Sequence, residues 1–299
     1  MDYGPLLRFH YESDADLTMA FTARDTDAGR FGIAELNAAG QIMNFTEKPE
    51  VPRTHLASMS VYLFRREVMV EELRRAVSGE DEESTVTFQI HEVLRRMISR
   101  RRAYGFIHHG AWAYARTLDE YYAFHRDLLG ATPAVDLAEW KVYSNVTAGR
   151  TAPPPPARFL PGATITNSLV SPGCVIEGTV ENSVLSPGVR VGPRAVVKDC
   201  VLWHDVVVEE DAEATAIIAD KRVVFGRGCR VGVGEPAPSE EKPRALACGA
   251  TVLAMNVRVP PGARIGRNCL IHTEVRPDDI GAVVPSGQSV WPRARLERR

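Results

Sequence analysis

The sequence predicts an α/β domain followed by a parallel β-helix. Three observations predict this: strand-like and helix-like stretches alternate in the first half, a proline run divides the chain, and apolar residues recur at steps of six in the second half. Charged residues make up 25% of the 299 residues and apolar residues 44%, close to the average for globular proteins. A chain of this length is expected to form about two domains.

The first half alternates strands and helices. A turn at residues 37–40 joins two strand-like stretches into a hairpin, and apolar residues at helical spacing follow over residues 65–77 and 84–100. Strands that alternate with helices predict a sheet whose faces are largely covered. The expected strands are Leu17–Ala23 and residues 31–36, 41–45 and 58–64.

Four consecutive prolines at residues 153–156 divide the chain. Proline cannot continue the interior of a helix or a central strand, and it favours a stiff, extended connector. We therefore expect the domain boundary between about residues 149 and 159. The predicted domains cover residues 1–150 and 151–299.

Apolar or small residues recur at steps of six in the second half, and Pro-Gly pairs mark many of the corners between them. This periodicity is typical of a parallel β-helix, in which inward residues stack on their equivalents in the neighbouring coils. A β-sandwich is the alternative, but its turns come roughly 8–12 residues apart. The step of six is kept by Thr164, Val170 and Ile176, by Val191 and Val197, by Val208 and Ala214, and by Val259, Ile265 and Ile271.

Two further features of the second half depend on this repeat. Cys174 and Cys269 occupy the small-residue position of the hexapeptide, which predicts packing in the core. The repeat is interrupted from about Val233 to Ala250, and the proline-rich residues 235–243 predict an exposed loop that leaves the coil.

Composition argues against several classes of protein. Lys and Arg number 36 and Asp and Glu 38, which gives a formal net charge of -2 and no indication of a nucleic-acid or anionic-membrane partner. We found neither an apolar run of about 20 residues nor a signal peptide, so no membrane span is expected. The five cysteines form no CxxC motif, which predicts reduced thiols, no zinc site and a cytoplasmic location.

The tripeptide Glu47-Lys48-Pro49 is the first candidate for chemistry. Lys48 ends a predicted strand next to a loop, where its ammonium group could meet a phosphate. Taken alone, an exposed lysine is the simpler interpretation. The flanking sequences FGI at residues 31–33 and LASMSVYLF at residues 56–64 place this tripeptide in a more specific context.

The order FGI, FTEKP, LASMSVYLF, then Trp112-x-x-x-x-Thr117, then the hexapeptide stretch NSLVSPGCVIEGTVENSVLSPGVRVG resembles the glucose-1-phosphate adenylyltransferase family. The resemblance covers essentially the whole chain. It implies a partial Rossmann-like nucleotidyltransferase domain over residues 1–150 and a left-handed parallel β-helix over residues 151–299. Members of this family make ADP-glucose from ATP and glucose 1-phosphate in bacterial glycogen biosynthesis, and they are usually tetramers.

The resemblance also implies a binding site for glucose 1-phosphate. Lys48 would bind the phosphate, Glu47 the sugar hydroxyls, and Gly32 would let the backbone approach the sugar, while Ser58 would line the same pocket. A dianionic substrate requires a fixed cation, and sugar hydroxyls require an acceptor such as a carboxylate.

The sequence departs from the family at the catalytic positions. The family's glycine-rich nucleotide loop and one metal-binding aspartate have no counterpart in these 299 residues, and Tyr114 stands where the second aspartate is expected. A phenol is a poor Mg²⁺ ligand compared with a carboxylate. The family motif D-F-G-K is also changed, to Thr87-Phe88-Gln89-Ile90. We therefore expect no catalytic residues, no metal site and no cofactor for this chain, although active members of the family use Mg²⁺.

Three functions follow as alternatives. The first is a non-catalytic family member that acts as a regulatory or structural partner of an active adenylyltransferase subunit, or associates with itself. The second is a fragment of an active glucose-1-phosphate adenylyltransferase. The third is a hexapeptide acyltransferase, for which His204 or His272 in the predicted β-helix would be the general base.

Overall fold

The computed structural model describes residues 2–25, 27–78, 90–138, 140 and 154–293. The chain divides into two compact units, Met1–Trp112 and Ala113–Arg299. The first unit holds helices α1 (Gly4–Glu12), α2 (Arg66–Ser78) and α3 (Ile90–Arg100), and strands β1 (Leu17–Ala23), β2 (Gly32–Leu36), β3 (Ile42–Glu47), β4 (Leu56–Phe64) and β5 (Ala103–Ile107). A 3₁₀ turn, Ala28–Arg30, precedes β2.

The five strands form one mixed sheet in the order β3-β2-β4-β1-β5. Strands β1 and β5 are parallel, whereas β4 runs antiparallel to both β1 and β2. The sheet curls so that the β2–β3 turn contacts β5, where the Gly105 amide donates to the Gly40 carbonyl at 2.9 Å. A bridge between Gln41 and Tyr104 lies beside this bond.

Both faces of the sheet are covered. Phe21, Ala34 and Phe45 pack with Leu94 and Met97 of α3 on one face. On the other face, α1 contributes Leu6 to a smaller cluster with Ala20 and Met59. The predicted strands and the helix at residues 65–77 are confirmed, but the predicted second helix is described only from Ile90, since residues 79–89 lie outside the described residues.

The second unit begins with helix α4 (Leu118–Arg126), which opens with a capping box between Thr117 and Glu120. Its Tyr122 donates from the side-chain hydroxyl to the Asp199 carbonyl at 2.6 Å and packs with Val201 of the β-helix. Because α4 packs on the β-helix, the division into packing units falls at Trp112, upstream of the sequence-predicted boundary near residue 150.

Short parallel strands form the rest of the second unit. They are β6 (Arg158–Phe159), β7 (Thr164–Thr166), β8 (Leu169–Val170), β9 (Val175–Ile176), β10 (Thr179–Glu181), β11 (Val184–Leu185), β12 (Arg190–Val191), β13 (Val196–Lys198), β14 (Val201–Leu202), β15 (Val207–Val208), β16 (Glu213–Thr215), β17 (Ile217–Ala219), β18 (Val224–Phe225), β19 (Arg230–Val231), β20 (Thr251–Leu253), β21 (Arg258–Val259), β22 (Arg264–Ile265), β23 (Leu270–Ile271), β24 (Val283–Val284) and β25 (Ser289–Val290). A 3₁₀ turn, Pro277–Asp279, follows β23.

These strands form three parallel sheets, which confirms the predicted β-helix. One sheet runs β24-β22-β19-β16-β13-β10-β7, the second β25-β23-β20-β17-β14-β11-β8, and the third β21-β18-β15-β12-β9-β6. Every strand pair in the three sheets is parallel and in register, so that Val191, Val208, Phe225 and Val259 stack as one inward column. This stacking supplies the core.

The coils between Val180 and Val231 are shorter than three hexapeptides. Vertical partners there, such as Val208 and Phe225, are 17 positions apart, because one corner of each of these coils takes five residues instead of six. Left-handed residues form that corner: Asn167, Asn182, Asp199 and Ala216 have φ between 44° and 54°. The prediction for Thr164 is wrong, since the middle residue of β7, Ile165, packs against the core and Thr164 is exposed.

The cysteine and loop predictions are resolved by the structure. Cys174 and Cys269 are fully buried in the β-helix core, which confirms their packing role. Residues 235–243 leave the coil as predicted, but the loop is fastened to it: the Ser286 hydroxyl donates to the Glu235 carbonyl at 2.7 Å, and the Asn268 amide to the Ala237 carbonyl at 2.8 Å. None of the helices in the described ranges is long and apolar enough to cross a bilayer.

Replacing Phe225 by alanine tests the stacked column. The Phe225 side chain is fully buried between Val208 and Val259, so Phe225→Ala should lower the free energy of unfolding by about 3–5 kcal/mol. Urea unfolding followed by circular dichroism measures the loss. The outward-facing neighbour, half-buried Val224, is the control, and Val224→Ala should cost much less. Equal losses in the two variants would contradict the assigned packing.

Candidate functional site

Three of the four predicted site residues lie in one row across the sheet. Gly32 of β2 pairs with Glu47 of β3, and the next pair, Ile33 with Ala57, places Gly32 opposite Ser58 of β4. Residues opposite each other on neighbouring strands share a face. The row therefore brings Glu47, Gly32 and Ser58 together at one end of the sheet.

Gly32 allows two side chains to lie directly over its backbone. A Cβ atom at this position would come within 2.3 Å of the Phe45 ring and 2.9 Å of the Glu47 carboxylate. Both contacts are far below ordinary van der Waals distance, so no side chain fits here. The structure therefore gives Gly32 a packing role, and its role in admitting a sugar stays a prediction.

Lys48 has a strained backbone. Its φ angle is 47°, in the left-handed region that non-glycine residues seldom adopt, and the following Pro49 favours an extended conformation instead. Such a conformation costs on the order of 1–3 kcal/mol and persists only where the surroundings impose it. The Lys48 amide donates to the Phe31 carbonyl at 3.1 Å, which continues the β2–β3 ladder by one step.

The left-handed turn at Lys48 brings two opposite charges together. Neighbours on an extended strand point to opposite faces. Lys48 Nζ nevertheless lies 3.6 Å from Glu47 Oε1, and the two side chains are 52% and 35% exposed. An exposed pair of this kind contributes at most about 1 kcal/mol. The pair therefore leaves both charged groups available to a ligand.

Ser58 is 4% exposed, and its hydroxyl oxygen accepts from the Ser60 amide at 3.3 Å. Ser60 has φ 57° and lies where the β1–β4 register shifts, so the bulge turns the strand beside Ser58. Ser58 thus lies in the same row as Gly32 and Glu47, although little of its surface is open to a ligand, and its role in lining the pocket stays a prediction.

Sequence reasoning missed a cation that two aromatic rings hold. Arg24 follows β1, and its guanidinium carbon lies 5.7 Å from the ring centre of Phe31 and 6.0 Å from that of Trp112. The two rings meet edge to face at 5.3 Å. A lone arginine after a strand gives no sequence signal, because the aromatic pair that holds it comes from two other segments of the chain.

Two family models match the sequence. One is described as a nucleotidyl transferase and covers residues 1–130, and the other, a GlmU-like C-terminal hexapeptide, covers residues 155–245. Three curated relatives have the name glucose-1-phosphate adenylyltransferase. The protein of Thermomicrobium roseum is 38% identical over 99% of this chain and 69% of its own length. That of Acetivibrio thermocellus is 32% identical over 97% and 67%, and that of Thermotoga maritima 33% over 94% and 66%.

The chain belongs to the glucose-1-phosphate adenylyltransferase family. It spans about two thirds of the length of these relatives. Family membership confirms the resemblance drawn from the FGI, FTEKP and hexapeptide motifs, and it favours a nucleotidyltransferase over a hexapeptide acyltransferase.

The residue at position 114 is a poor ligand for the Mg²⁺ that active adenylyltransferases use. Tyr114 is half-buried, and the Arg116 guanidinium lies 5.6 Å from its ring centre. A phenol beside a guanidinium offers a divalent cation neither a carboxylate nor a negative field. Tyr114 therefore does not fit the metal. The altered motif at residues 87–89 lies outside the described residues.

The histidines considered for acyl transfer have different surroundings. His272 Nε2 lies 2.8 Å from Glu241 Oε2, and its ring stacks on Trp291 with ring centres 3.2 Å apart. Glu241 belongs to the loop that leaves the coil. His272 thus joins this loop to the end of the β-helix. His204 lies beside Trp203, with ring centres 6.0 Å apart.

Substituting Gly32 tests the close packing over β2. Gly32→Ala should lower the free energy of unfolding by about 1–3 kcal/mol, because the new Cβ must displace the Phe45 ring. Urea unfolding measures this loss. Adding Phe45→Leu should recover part of it, since the smaller side chain leaves room for the methyl group. Gly281→Ala is the matched control, as its nearest atom would be 3.6 Å away. Strictly additive effects at Gly32 and Phe45 would count against the contact.

Proposed function

We propose that this chain binds glucose 1-phosphate at the end of the β2–β3 hairpin and does not itself transfer an adenylyl group. The observation that carries the proposal is the backbone of Lys48. A lysine with φ 47° before a proline is unfavourable for folding, and it sets an ammonium group beside the Glu47 carboxylate at 3.6 Å. Strain of this kind is concentrated at ligand-binding sites.

The paired charges suit both parts of a sugar phosphate. The Lys48 ammonium donates to phosphate oxygens, and the Glu47 carboxylate accepts from sugar hydroxyls. Both side chains are partly exposed, so a ligand can reach them without unfolding the hairpin. The curated relatives have a name that specifies glucose 1-phosphate, which supports this choice of ligand.

Tyr114 supports the non-catalytic part of the proposal. Adenylyl transfer builds negative charge on pyrophosphate and on the α-phosphoryl oxygens, and metal ions and cations must stabilise that charge. The resemblance places a metal-binding carboxylate at position 114, and this chain has a phenol there. The chain would then serve as a regulatory or structural subunit, which associates with an active adenylyltransferase or with itself.

A second candidate function is favoured by the length of the relatives. Because the chain spans about two thirds of them, it could form part of a longer, active glucose-1-phosphate adenylyltransferase. Sequencing the coding DNA upstream of Met1 distinguishes the two. An in-frame glycine-rich loop supports the second candidate, and a stop codon with no such loop supports the first. Gel filtration of the chain with an active adenylyltransferase then tests the subunit role.

Lys48→Ala should weaken glucose 1-phosphate binding by about tenfold or more, since a charge-assisted contact contributes roughly 1.5–3 kcal/mol. Lys48→Gly should weaken binding equally, while its stability should be no lower than that of Lys48→Ala, because glycine adopts positive φ without strain. Titration calorimetry and urea unfolding measure the two effects. Lys242→Ala is the control: Lys242 is also 52% exposed and lies 3.7 Å from its neighbour Glu241. Unchanged affinity in Lys48→Ala would refute the proposed site.

The purified chain should form no ADP-glucose from ATP and glucose 1-phosphate at any magnesium concentration, because position 114 lacks the carboxylate. Chromatographic detection of ADP-glucose and release of pyrophosphate are the measurements. A full-length relative assayed in parallel serves as the positive control. Magnesium-dependent product formation that disappears in Lys48→Ala would show that the catalytic groups lie elsewhere in this chain.

A further inference from the structure

The edge of β4 that faces away from β1 is paired over only part of its length. Strand β2 pairs with β4 at Ile33 and Ala57, and past that point no strand in the described ranges lies against residues 58–64 on this side. Strand β1, by contrast, pairs with β4 from Leu56 to Phe64, with one bulge. Seven residues in the middle strand of the sheet therefore have one open edge.

The hydrogen bonds between β1 and the end of β4 show which amides face the open edge. The Arg65 amide donates to the Asp16 carbonyl at 2.9 Å. In an antiparallel pair, hydrogen-bonded and non-bonded partners alternate along the strands. Leu63 therefore bonds to β1, whereas Tyr62 and Phe64 direct their amide and carbonyl groups to the open edge.

The sequence of β4 is that of a strand with neighbours on both sides. Residues 58–64 read SMSVYLF and include no charged residue and no proline. Natural edge strands commonly have lysine or proline, which prevent pairing with other chains. Residues 61–64 are nevertheless only half-buried, whereas residues 17–22 of β1, which has a strand on each side, are buried. A further strand on the open side would bury them as well.

Helix α1 forms a wall beside this edge. Leu7 and Tyr11, one turn apart on α1, are both exposed, and with Leu63 and Phe64 they line a cavity of about 360 Å³, here called the β4 groove. In β-strand addition, the backbone of an extended segment pairs with an open edge and its side chains fill adjoining pockets. The β4 groove offers both the edge and an apolar wall.

The charged residues of the β4 groove are paired with one another. Arg65 lies 2.5 Å from Asp14, and Arg66 lies 3.2 Å from Glu67. Since these charges are compensated within the chain, the groove favours an apolar segment over a charged ligand.

We propose that the open edge of β4 binds an extended apolar segment from the part of the adenylyltransferase chain that these 299 residues do not match. The curated relatives are matched over only 66–69% of their own length, so about a third of each has no counterpart here. The seven open residues have the length of one ordinary strand. A single added strand would complete the sheet between β2 and the end of β4.

Amide hydrogen exchange, followed residue by residue by NMR, tests the open edge in the chain itself. The Leu63 amide bonds to β1, so it should exchange at least about tenfold more slowly than the amides of Tyr62 and Phe64. Equal protection of all three in the dilute chain would show that the edge is already paired, and would overturn the inference. Protection of Tyr62 and Phe64 that rises with protein concentration would identify a second copy as the occupant, and would overturn it too.

The occupant is tested with overlapping ten-residue synthetic peptides that cover the unmatched part of the Thermomicrobium roseum protein. An apolar peptide should slow exchange at Tyr62 and Phe64 by about tenfold or more and leave Leu63 unchanged. A peptide of the same composition in scrambled order is the control. In the full-length relative, the amides aligned with Tyr62 and Phe64 should be protected without any peptide. Protection in either experiment supports the inference, and its absence from both would overturn it.

Leu7→Glu tests the wall of the β4 groove without altering the strand edge. It should weaken binding of the protecting peptide by about tenfold or more, because the added carboxylate would be buried against an apolar segment. Met43→Glu is the matched control: Met43 of β3 is 65% exposed, against 44% for Leu7. Its affinity should stay within twofold of the original chain, and equal losses in both variants would count against the groove.

Glucose 1-phosphate separates this inference from the proposed function. Leu7→Glu should bind the sugar phosphate as the original chain does, and Lys48→Ala should bind the protecting peptide unchanged. Loss of one kind of binding without the other would therefore refute only the proposal that predicts it.

Discussion

The contact between the Phe45 ring and the bare backbone of Gly32 is the constraint on which the candidate site depends. Because nothing projects from Gly32, Phe45 stays in the core with α3, and Glu47 lies over the same strand. The open end of the β2–β3 hairpin, where Gly32 faces Glu47, is thereby held in place. Lys48 can then adopt a left-handed backbone, because the ladder beside it is already fixed by the Phe31 carbonyl.

The β-helix is held together by a different principle. Each inward residue meets its equivalent in the next coil, so the core is a set of columns rather than a single centre. Left-handed asparagine and aspartate residues make the short corner possible, since their side chains tolerate positive φ better than most. Asn167 and Asn182 also bond to each other across neighbouring coils at 2.7 Å.

The sequence predicted the two architectures and the strands of the candidate site, because hydrophobic period and turn residues are local signals. The family motifs added Gly32, Glu47, Lys48 and Ser58. Helix α1 and the strand Ala103–Ile107 were missed, and α4 was missed although its capping box is visible in the sequence at Thr117 and Glu120. Arg24 could not be found, because its partners Phe31 and Trp112 come together only in the folded sheet.

The loop that leaves the β-helix has the length of one coil. Val231 pairs with Ile265, 34 positions later, which is twice the 17 positions that separate Ala214 from Val231 in the coil before it. A coil count made by dividing the number of residues by the coil length would therefore include a coil that does not exist. The loop lengthens the chain but adds no layer to the β-helix. The coils on either side of it therefore remain at the usual strand spacing of roughly 4.8 Å. Two proteins with equal repeat counts could thus differ by one layer in the physical length of their β-helices.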